Sequence, residues 1–509
     1  MRTPGLLRRG ALAAPALALA ACNTIFGIEP GEPRPAGSGG APGVCGAADP
    51  PGEGPLRWAS QSTRSSYALA TGVALGAQGD VIVAGVYSAG DLQIGASTLP
   101  HAGDPDDFDV FLASFDAATG EPRWVRGFPA DGQQIASDVE VDRVSGDIVL
   151  SGRFEGSVSF DGGATTLPSS GASDAFLARF DPQGDPLWSA RYGDAEEQVA
   201  INVAFDGLGE IVFGALVAGT IDFAGETMGT PGSAGLLVGK LGADSEERWG
   251  RFYPSAFHDG EHVGLDADAD GHIVVTGSAS TFGFDSQDPF HGGTDVFVVK
   301  YDKEGATLWS RLFGGTGVEA DNGQQWGTAA AFDCRGDVVL TGAFRKDLVF
   351  GDIPALTAAD AADPGDVFVA RLRGADGAPL WAKAFGDAGL QRGLSIGTDG
   401  RSSVVVGGIL VDADASVGVD FGGGLLPPPG KDGADHREDL FVAKLSPEGD
   451  HLWSKRIGDE LTQEGEIAVD PSGSVVAAGD FFSEIRLDPT PAGALTDDGR
   501  DLFVALFGP

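Results

Sequence analysis

The stretch GTDVFVVKYDKEGATLWS, residues 293–310, holds the pattern that decides the fold. It contains an apolar segment that begins with Asp295 and carries Phe297 two places later, then a turn through Gly305, then a segment around Trp309. The first segment is apolar on both faces, so it must be covered on both sides. The second segment has Ser and Arg beside its tryptophan, which is typical of a half-exposed strand. The stretch therefore predicts a β-hairpin with one buried strand and one outer strand.

The same pattern recurs along the chain at intervals of 60 to 72 residues. The repeated tryptophans are Trp58, Trp124, Trp188, Trp249, Trp309, Trp381 and Trp453. The repeated Asp and Phe pairs are Asp109 and Phe111, Asp174 and Phe176, Asp295 and Phe297, Asp366 and Phe368, Asp439 and Phe441, and Asp501 and Phe503, with Gly235 and Leu237 in the remaining unit. Each unit predicts four strands, of which the first two and the last two are joined by hairpin turns. Repeats of this length indicate a propeller or a solenoid.

The two ends of the repeat region decide between these architectures. The first tryptophan segment, residues 55–60, has no strands before it, and the last unit stops after Asp501–Leu506 with no tryptophan segment. If the N-terminal segment joins the last sheet, the ring closes and its exposed edges disappear. An open solenoid would leave both terminal units incomplete. We therefore predict an all-β, seven-bladed β-propeller over residues 55–509, closed by its N-terminal strand.

Two family resemblances follow from these segments. Residues 293–302, with Gly305 and Leu308–Ser310, resemble the seven-bladed β-propeller (SBBP-type) repeat of bacterial surface and secreted proteins. That resemblance covers residues 55–509 and implies the fold, but it implies almost nothing about function. Asp116–Gly120 followed by Trp124 resembles the tryptophan-docking motif of quinone-dependent dehydrogenase propellers. Because the other six units do not keep its spacing, we interpret that match as a coincidence of hairpin sequence.

The first 21 residues read as an export signal. Arg2, Arg8 and Arg9 precede an apolar run, residues 11–21, that is too short to span a bilayer. The run ends in Leu-Ala-Ala-Cys at Cys22, which resembles the lipobox of bacterial lipoproteins. The resemblance implies cleavage before Cys22 and acylation of that cysteine. An ordinary secretory signal is the alternative.

A tether follows the signal. From Glu29 to Gly54, 14 of 26 residues are Gly or Pro, a composition that forms neither helix nor strand. We therefore expect three parts, a signal peptide over residues 1–21, a lipidated tether over residues 22–54 and the propeller. The expected location is extracytoplasmic, with the lipid in the cell envelope, at the outer membrane. Cys45 and Cys334 could form a disulfide in that compartment, and free thiols are the alternative.

The charge of the chain excludes one class of partner. With 33 basic and 74 acidic residues the net charge is −41, which opposes binding to nucleic acid phosphates. We expect a monomer that contacts the membrane through Cys22 and binds an unidentified protein or glycan.

Two groups of residues suggest a metal. Asp266, Asp268 and Asp270 precede a glycine as in a calcium loop, but Asp268 also occupies the ordinary turn position of the repeat. His258, His262 and His291 belong to two loops of one unit and could supply a three-ligand site. The alternatives are an ordinary turn and solvated loop histidines. We expect no cofactor, with calcium as the one candidate.

Glutamines recur where the first strand of a unit begins. They are Gln134, Gln198, Gln325, Gln391 and, shifted by one position, Gln463. If the first strands line a central channel, these side chains would face a ligand at its mouth. Alternatively, they satisfy backbone groups of the loops.

No catalytic motif stands out. The sequence has no G-x-S-x-G elbow, Walker loop, C-x-x-C pair or H-E-x-x-H. We therefore expect a non-catalytic binding or assembly scaffold. One alternative is a carbohydrate-active hydrolase or lyase that uses loop carboxylates at the propeller mouth. Another is a scaffold of outer-membrane protein assembly, because the lipoprotein propeller subunit of that machine has a similar anchor and body.

Overall fold

The strands belong to one of the two compact units of the chain, Gly40–Pro509. The computed structural model describes residues 45–46, 53–63, 67–76, 79–254, 263–279, 288–291, 293–316, 324–359, 365–411, 418–426, 438–458, 465–487 and 494–509. Across these ranges every regular element is a β-strand. No helix in the same ranges is long and apolar enough to cross a membrane.

Seven antiparallel sheets follow one another along the chain, and each is one blade of a propeller. Blade 1 consists of β2 (Tyr67–Gly76), β3 (Asp80–Ser88), β6 (Asp109–Asp116) and β7 (Pro122–Phe128). Blade 2 consists of β8 (Gln134–Val141), β9 (Ile148–Phe154), β12 (Asp174–Phe180) and β13 (Pro186–Tyr192). Blade 3 consists of β14 (Gln198–Phe205), β15 (Ile211–Phe223), β16 (Glu226–Leu241) and β17 (Glu247–Pro254). Blades 4 and 5 are formed by β18 (Gly264–Ala267), β19 (Ile273–Ala279), β20 (Asp295–Tyr301) and β21 (Thr307–Phe313), and by β22 (Gln325–Phe332), β23 (Val338–Phe344), β26 (Asp366–Leu372) and β27 (Pro379–Phe385). Blades 6 and 7 are formed by β28 (Leu390–Thr398), β29 (Val404–Val411), β32 (Glu438–Leu445) and β33 (His451–Ile457), and by β34 (Gly465–Val469), β35 (Val475–Arg486), β36 (Ala494–Phe507) and β1 (Leu56–Thr63).

Short strand pairs occupy the long loops of four blades. They are β4 (Leu92–Ile94) with β5 (Ser97–Leu99), β10 (Ser157–Val158) with β11 (Leu167–Pro168), β24 (Asp347–Leu348) with β25 (Leu356–Thr357), and β30 (Val419–Asp420) with β31 (Leu425–Leu426).

The N-terminal strand closes the ring, as predicted. In blade 7, β1 pairs antiparallel with β36, with Trp58 opposite Leu506. The other edge of β1 pairs with β4 of blade 1. The buried Ser62 hydroxyl donates to Asp501 Oδ1 at 3.0 Å and accepts the amide of Leu502 at 3.0 Å. The closing strand is therefore held on both of its edges and by a side chain.

The core is divided among the seven interfaces between neighbouring blades, which we call seams. Each of seven hydrophobic clusters combines side chains of two adjacent blades, and one of them joins blade 7 to blade 1. The repeated phenylalanines lie fully buried in these clusters, as the sequence predicts. Each such ring contributes about 1.5–3 kcal/mol by leaving water.

The tryptophans of the outer strands dock across the seams. In six seams the indole Nε1–H donates to a turn carbonyl of the next blade at 2.8–3.1 Å: Trp58 to Ala117, Trp124 to Pro182, Trp188 to Ala243, Trp249 to Lys303, Trp309 to Gly374 and Trp381 to Pro447. Trp124 is one of six tryptophans that make this contact, and the other five belong to units that do not keep its spacing. Turns of different length present a carbonyl at the same place, so the contact survives changes in spacing.

The turns and loops divide the ring into two faces. The hairpin face carries the turns that join the first two and the last two strands of each blade, such as residues 142–147 and 181–185. The loop face carries the connections between the second and third strands of a blade, such as residues 155–173, and those between blades, such as residues 193–197. Any ligand of the ring axis would enter at one of these two faces.

Candidate ligand site at the central channel

The first strands of the seven blades surround the propeller axis. Each of them packs against the first strands of both neighbouring blades, from β2 through β8, β14, β18, β22 and β28 to β34 and back. Within β8, Ile135, Asp138 and Glu140 remain partly exposed, whereas Gln134 and Val139 are buried. In this strand the partly exposed side chains face the channel and the buried ones face the seams.

The strand registers place these channel positions in three tiers. The upper tier, nearest the loop face, holds Leu69, Ile135, Val199, Trp326 and Arg392. The middle tier holds Gly72, Asp138, Asn202, Gly264, Ala329, Ser395 and Glu466. The lower tier holds Ala74, Glu140, Ala204, Asp266, Ala331, Gly397 and Ala468. The lower two tiers are therefore lined mostly by small side chains, with four carboxylates among them.

These four carboxyl groups lie deep in the ring. Burial raises the pKa of Asp138, Glu140, Asp266 and Glu466 to about 7 in each case. The charge of Glu466 adds to this effect at Asp138, and the charge of Glu140 adds to it at Asp266. Near neutral pH the channel is therefore only partly ionised.

Two of the carboxylates also hold neighbouring blades together. Asp138 Oδ2 accepts the amide of Val203 at 3.0 Å, and Asp266 Oδ2 accepts the amide of Phe332 at 2.7 Å. Both amides belong to the first strand of the next blade, whose inner edge has no neighbouring strand. The carboxylates thus satisfy backbone groups that would otherwise be left without partners.

The prediction that the glutamine side chains face a ligand at the channel mouth is wrong, because the four that the structure describes are buried. Gln134, Gln198, Gln325 and Gln391 are at most 2% exposed. They bind the loops instead: Gln198 Nε2 donates to Ala218 O at 2.7 Å, and Gln391 Oε1 accepts the amide of Asp387 at 3.0 Å. The alternative stated above, satisfaction of loop backbone groups, is what these four residues do. Gln463 lies outside the described residues.

The predicted calcium loop is an ordinary turn with no convergence of carboxylates. Asp268 Oδ1 accepts the amides of Asp270 and His272, both at 2.9 Å. Asp266 instead points along the channel wall to Phe332. In the part of the chain that the structure describes, no group of three or more His, Cys, Asp or Glu side chains could hold a metal ion.

Of the three histidines predicted as metal ligands, only His291 lies within the described residues. The backbone amide of His291 donates to Asp295 Oδ2 at 2.8 Å, and its ring lies beside the same carboxylate. His258, His262 and the predicted lipidation residue Cys22 lie outside the described residues, so those hypotheses stay predictions.

The upper tier contains a cluster of Trp326, Arg345 and Arg392 that the sequence analysis did not predict. Trp326 of blade 5 has the guanidinium carbon of Arg345 5.3 Å from its ring centroid and that of Arg392, in blade 6, at 5.9 Å. Both distances are in the range of cation–π attraction. Trp326 and Arg392 directly follow Gln325 and Gln391, the residues predicted to face a ligand at the channel mouth.

Arg392 stands near the start of β28, in the upper tier. It is half-buried, and its Nε has no hydrogen-bond partner within the described ranges. Three positions along the same strand, Ser395 hydrogen-bonds Glu466 of blade 7 and accepts the amide of Ile467 at 3.2 Å. The Glu466 carboxyl group thus lies one tier below Arg392.

Two residues that precede the closing strand, Cys45 and Gly46, are held at the hairpin face. Cys45 and Cys334 form a disulfide, so the free-thiol alternative is wrong. Cys334 lies in the turn between β22 and β23, and the amide of Gly46 donates to Gly400 O in the equivalent turn of blade 6 at 2.9 Å. Cys45 and Gly46 are therefore bound to blades 5 and 6.

Comparison with known proteins identifies similar structures but no family. No protein-family model and no curated protein matches the sequence. The quinohemoprotein alcohol dehydrogenase of Comamonas testosteroni is 10% identical with a TM-score of 0.40, over 89% of this chain and 76% of that chain. A protein of unknown function from Dyadobacter fermentans is 12% identical with a TM-score of 0.39, over 89% and 98% of the two chains. The Pan2 WD40 domain of Neurospora crassa is 10% identical with a TM-score of 0.29, over 68% and 92%. The strand pairing itself establishes the propeller, and these similarities carry no statement about function.

Proposed function

We propose that the chain is a lipid-anchored, extracytoplasmic β-propeller that acts as a binding scaffold without catalysis. The observation that carries this proposal is the disulfide between Cys45 and Cys334, because disulfides form and persist in oxidising compartments outside the cytoplasm. The predicted export signal and lipidation residue, Cys22, agree with that compartment.

The position of the disulfide suggests how the scaffold is oriented. Twenty-two residues separate Cys22 from Cys45, and the tether predicted from their composition would reach roughly 25 Å. Because Cys45 is bound to the hairpin face, that face would lie toward the membrane. The loop face would then point outward, where a protein or glycan could reach it.

The bonding of the channel carboxylates supports a role without catalysis. Both oxygens of Asp138 accept backbone amides, from Val139 at 2.8 Å and Val203 at 3.0 Å. Both oxygens of Asp266 accept amides in the same way. Groups that hold the seams together are poorly placed to transfer protons to a substrate.

Acyl labelling tests the anchor. The full chain is expressed with its signal in a diderm bacterium that is fed an alkyne analogue of palmitate. We expect label in the wild type and in the matched control Cys45→Ser, and none in Cys22→Ser. An unlabelled wild-type protein would contradict the proposal.

Peptide mapping without reductant tests the compartment. The exported protein should yield one peptide pair that joins Cys45 to Cys334. Two free thiols in the exported protein would remove the observation on which the proposal depends.

A further inference from the structure

A cavity of about 230 Å³ opens between blades 2 and 3, away from the channel. Blade 2 contributes the end of its outer strand β13, and blade 3 contributes the β15–β16 hairpin and the start of its outer strand β17. The side chains that line the cavity belong to Arg191, Tyr192, Asp194, Thr220, Asp222 and Glu247. All of these residues lie in the continuous described range 79–254, so the wall of the cavity is known on every side.

The hydroxyl group of Tyr192 lies at this cavity without a protein partner. Tyr192 is only 7% exposed, and its ring packs between Phe213 at 5.7 Å and Phe223 at 5.8 Å, measured between ring centroids. Among the described residues, no group forms a hydrogen bond with the hydroxyl. A buried tyrosine hydroxyl usually has such a partner, so this one is available to a ligand.

The packing of the seam needs the Tyr192 ring but not its hydroxyl. Tyr192 is paired with the second residue of β12, and three other blades place a buried phenylalanine at the equivalent position of the outer strand. These phenylalanines are Phe128, Phe313 and Phe385. The polar atom at Tyr192 is therefore an addition to a contact that is complete without it.

Two carboxylates of the cavity each have a free oxygen. Asp222 Oδ1 accepts the Thr227 hydroxyl at 2.5 Å, and Glu247 Oε2 accepts the amide of Ala224 at 2.7 Å. The second oxygen of each carboxylate has no partner among the described residues. Burial raises the pKa of Tyr192, and the charge of Glu247 adds to this effect, so the hydroxyl lies within the field of that carboxylate.

The other charged groups of the cavity are already paired. Arg191 Nη1 donates to the buried Asp174 Oδ2 at 2.9 Å. Asp194 Oδ2 accepts the amide and the hydroxyl of Thr220 at 3.1 and 2.6 Å, and its Oδ1 accepts Gln198 Nε2 at 2.9 Å. The two carboxylates described above therefore give the cavity an excess of negative charge.

Three free acceptor groups and a negative charge match one kind of ligand. A primary ammonium group carries one positive charge and three N–H donors, as at the end of a lysine side chain. A quaternary ammonium has the charge but no N–H donor, and an alcohol has one donor but no charge.

We propose that the cavity between blades 2 and 3 binds a small primary amine in its protonated form, whose ammonium group donates to Tyr192, Asp222 and Glu247. The inference goes beyond the proposed function, because this site lies outside the channel and does not depend on the anchor.

Saturation-transfer NMR tests the inference with three probes of similar size. The full chain in detergent is mixed at pH 7.5 and low salt with n-butylammonium, with trimethylbutylammonium, or with n-butanol. We expect n-butylammonium to bind and its binding to weaken as salt is added. The other two probes should bind at least about tenfold more weakly, because each lacks either the donors or the charge.

Variants identify the residues. Tyr192→Phe should weaken binding of n-butylammonium by about three- to tenfold, and Glu247→Gln should weaken it by about tenfold or more. The matched control is Glu246→Gln, which changes the adjacent glutamate that pairs with Arg248 and should bind like the wild type. Should Glu247→Gln not fold, Asp222→Asn serves as the second carboxylate variant.

Three results would overturn the inference. They are no binding of n-butylammonium up to tens of millimolar, equal binding of n-butylammonium and trimethylbutylammonium, and affinity unchanged in both the tyrosine and the carboxylate variant. None of these results would alter the acyl labelling or the disulfide map, so a failure here is distinguishable from a failure of the proposed function.

Discussion

At the scale of single residues, the approach of one strand to another leaves no room for a side chain at Gly152. A Cβ atom built there would lie 2.1 Å from the carbonyl oxygen of Ile135 and 2.7 Å from the ring of Phe176. Phe176 is opposite Gly152 in the sheet, and its ring lies over that glycine. The glycine is therefore required by packing rather than by its backbone angles.

Replacement of this glycine should destabilise blade 2. We expect Gly152→Ala to lower the free energy of unfolding by about 1–3 kcal/mol, because the added methyl group forces neighbouring atoms apart. The matched control is Gly214→Ala in blade 3, where a Cβ has no neighbour nearer than 3.8 Å. Denaturant unfolding of both variants checks the difference, and equal stability of the two would contradict this account of packing.

The channel carboxyl groups make stability depend on pH. Burial raises the pKa of Glu466 to about 7 in the folded protein, above its ordinary value near 4.5. The folded state therefore holds the proton more tightly, so this contribution is present at low pH and is lost as pH rises from about 4 to about 7. Glu466→Gln removes the dependence, and its melting temperature at pH 7.5 should exceed that of the wild type by about 1–2 °C.

Two comparisons make this test specific. At pH 4.5, where the wild-type side chain is protonated, Glu466→Gln and the wild type should melt together. Glu155→Gln, which changes an exposed loop residue, should match the wild type at both values of pH. A variant that melts below the wild type at pH 7.5 would show that the ionised carboxylate stabilises the ring.

At the scale of elements, the outer strand of one blade is fixed to a turn of the next. The Trp381 indole donates to Pro447 O at 2.9 Å, and the same carbonyl accepts the Arg371 guanidinium at 3.1 Å. Two donors on one carbonyl make the turn of blade 6 part of the seam with blade 5.

The indole hydrogen bond can be tested with two tryptophans. Trp381→Phe should lower the free energy of unfolding by about 1 kcal/mol more than Trp453→Phe does. Both changes remove the same volume from a seam, but Trp453 Nε1 has no partner within the described ranges. Thermal unfolding compares the two, and an equal loss would mean that the ring packing alone matters.

Strand alternation explains which site residues could be predicted. The repeats identify the first strands, their starting glutamines and their order around the ring. Because side chains alternate along a strand, Gln325 points into the seam and Trp326 points toward the channel. Which of the two faces the channel depends on the strand register. Once the register is known, the residue after each glutamine identifies the upper tier.

Contacts between blades could not be read from the chain. Arg392 meets Trp326 across a seam, and Ser395 meets Glu466 across the next, although these residues are far apart in sequence. The docking of the tryptophans is similar, because turns of different length present their carbonyls at the same place. Such contacts depend on how the repeats stack, which spacing within one repeat does not encode.

At the scale of the whole molecule, closure depends on the pairing of the first and last strands of the propeller. β1 contributes the fourth strand of blade 7, and one core cluster spans blades 7 and 1. Closure removes the two free sheet edges that an open row of blades would expose. It also fixes the seven first strands around the axis, and the three tiers of the channel exist only in that arrangement.

Hydrogen–deuterium exchange of the closing strand tests this arrangement most directly. In the full chain, the amides of residues 56–63 should exchange as slowly as those of residues 502–507, because the two segments form one ladder of hydrogen bonds. Complete exchange of residues 56–63 within seconds, with residues 502–507 still protected, would show that the N-terminal strand does not close the ring.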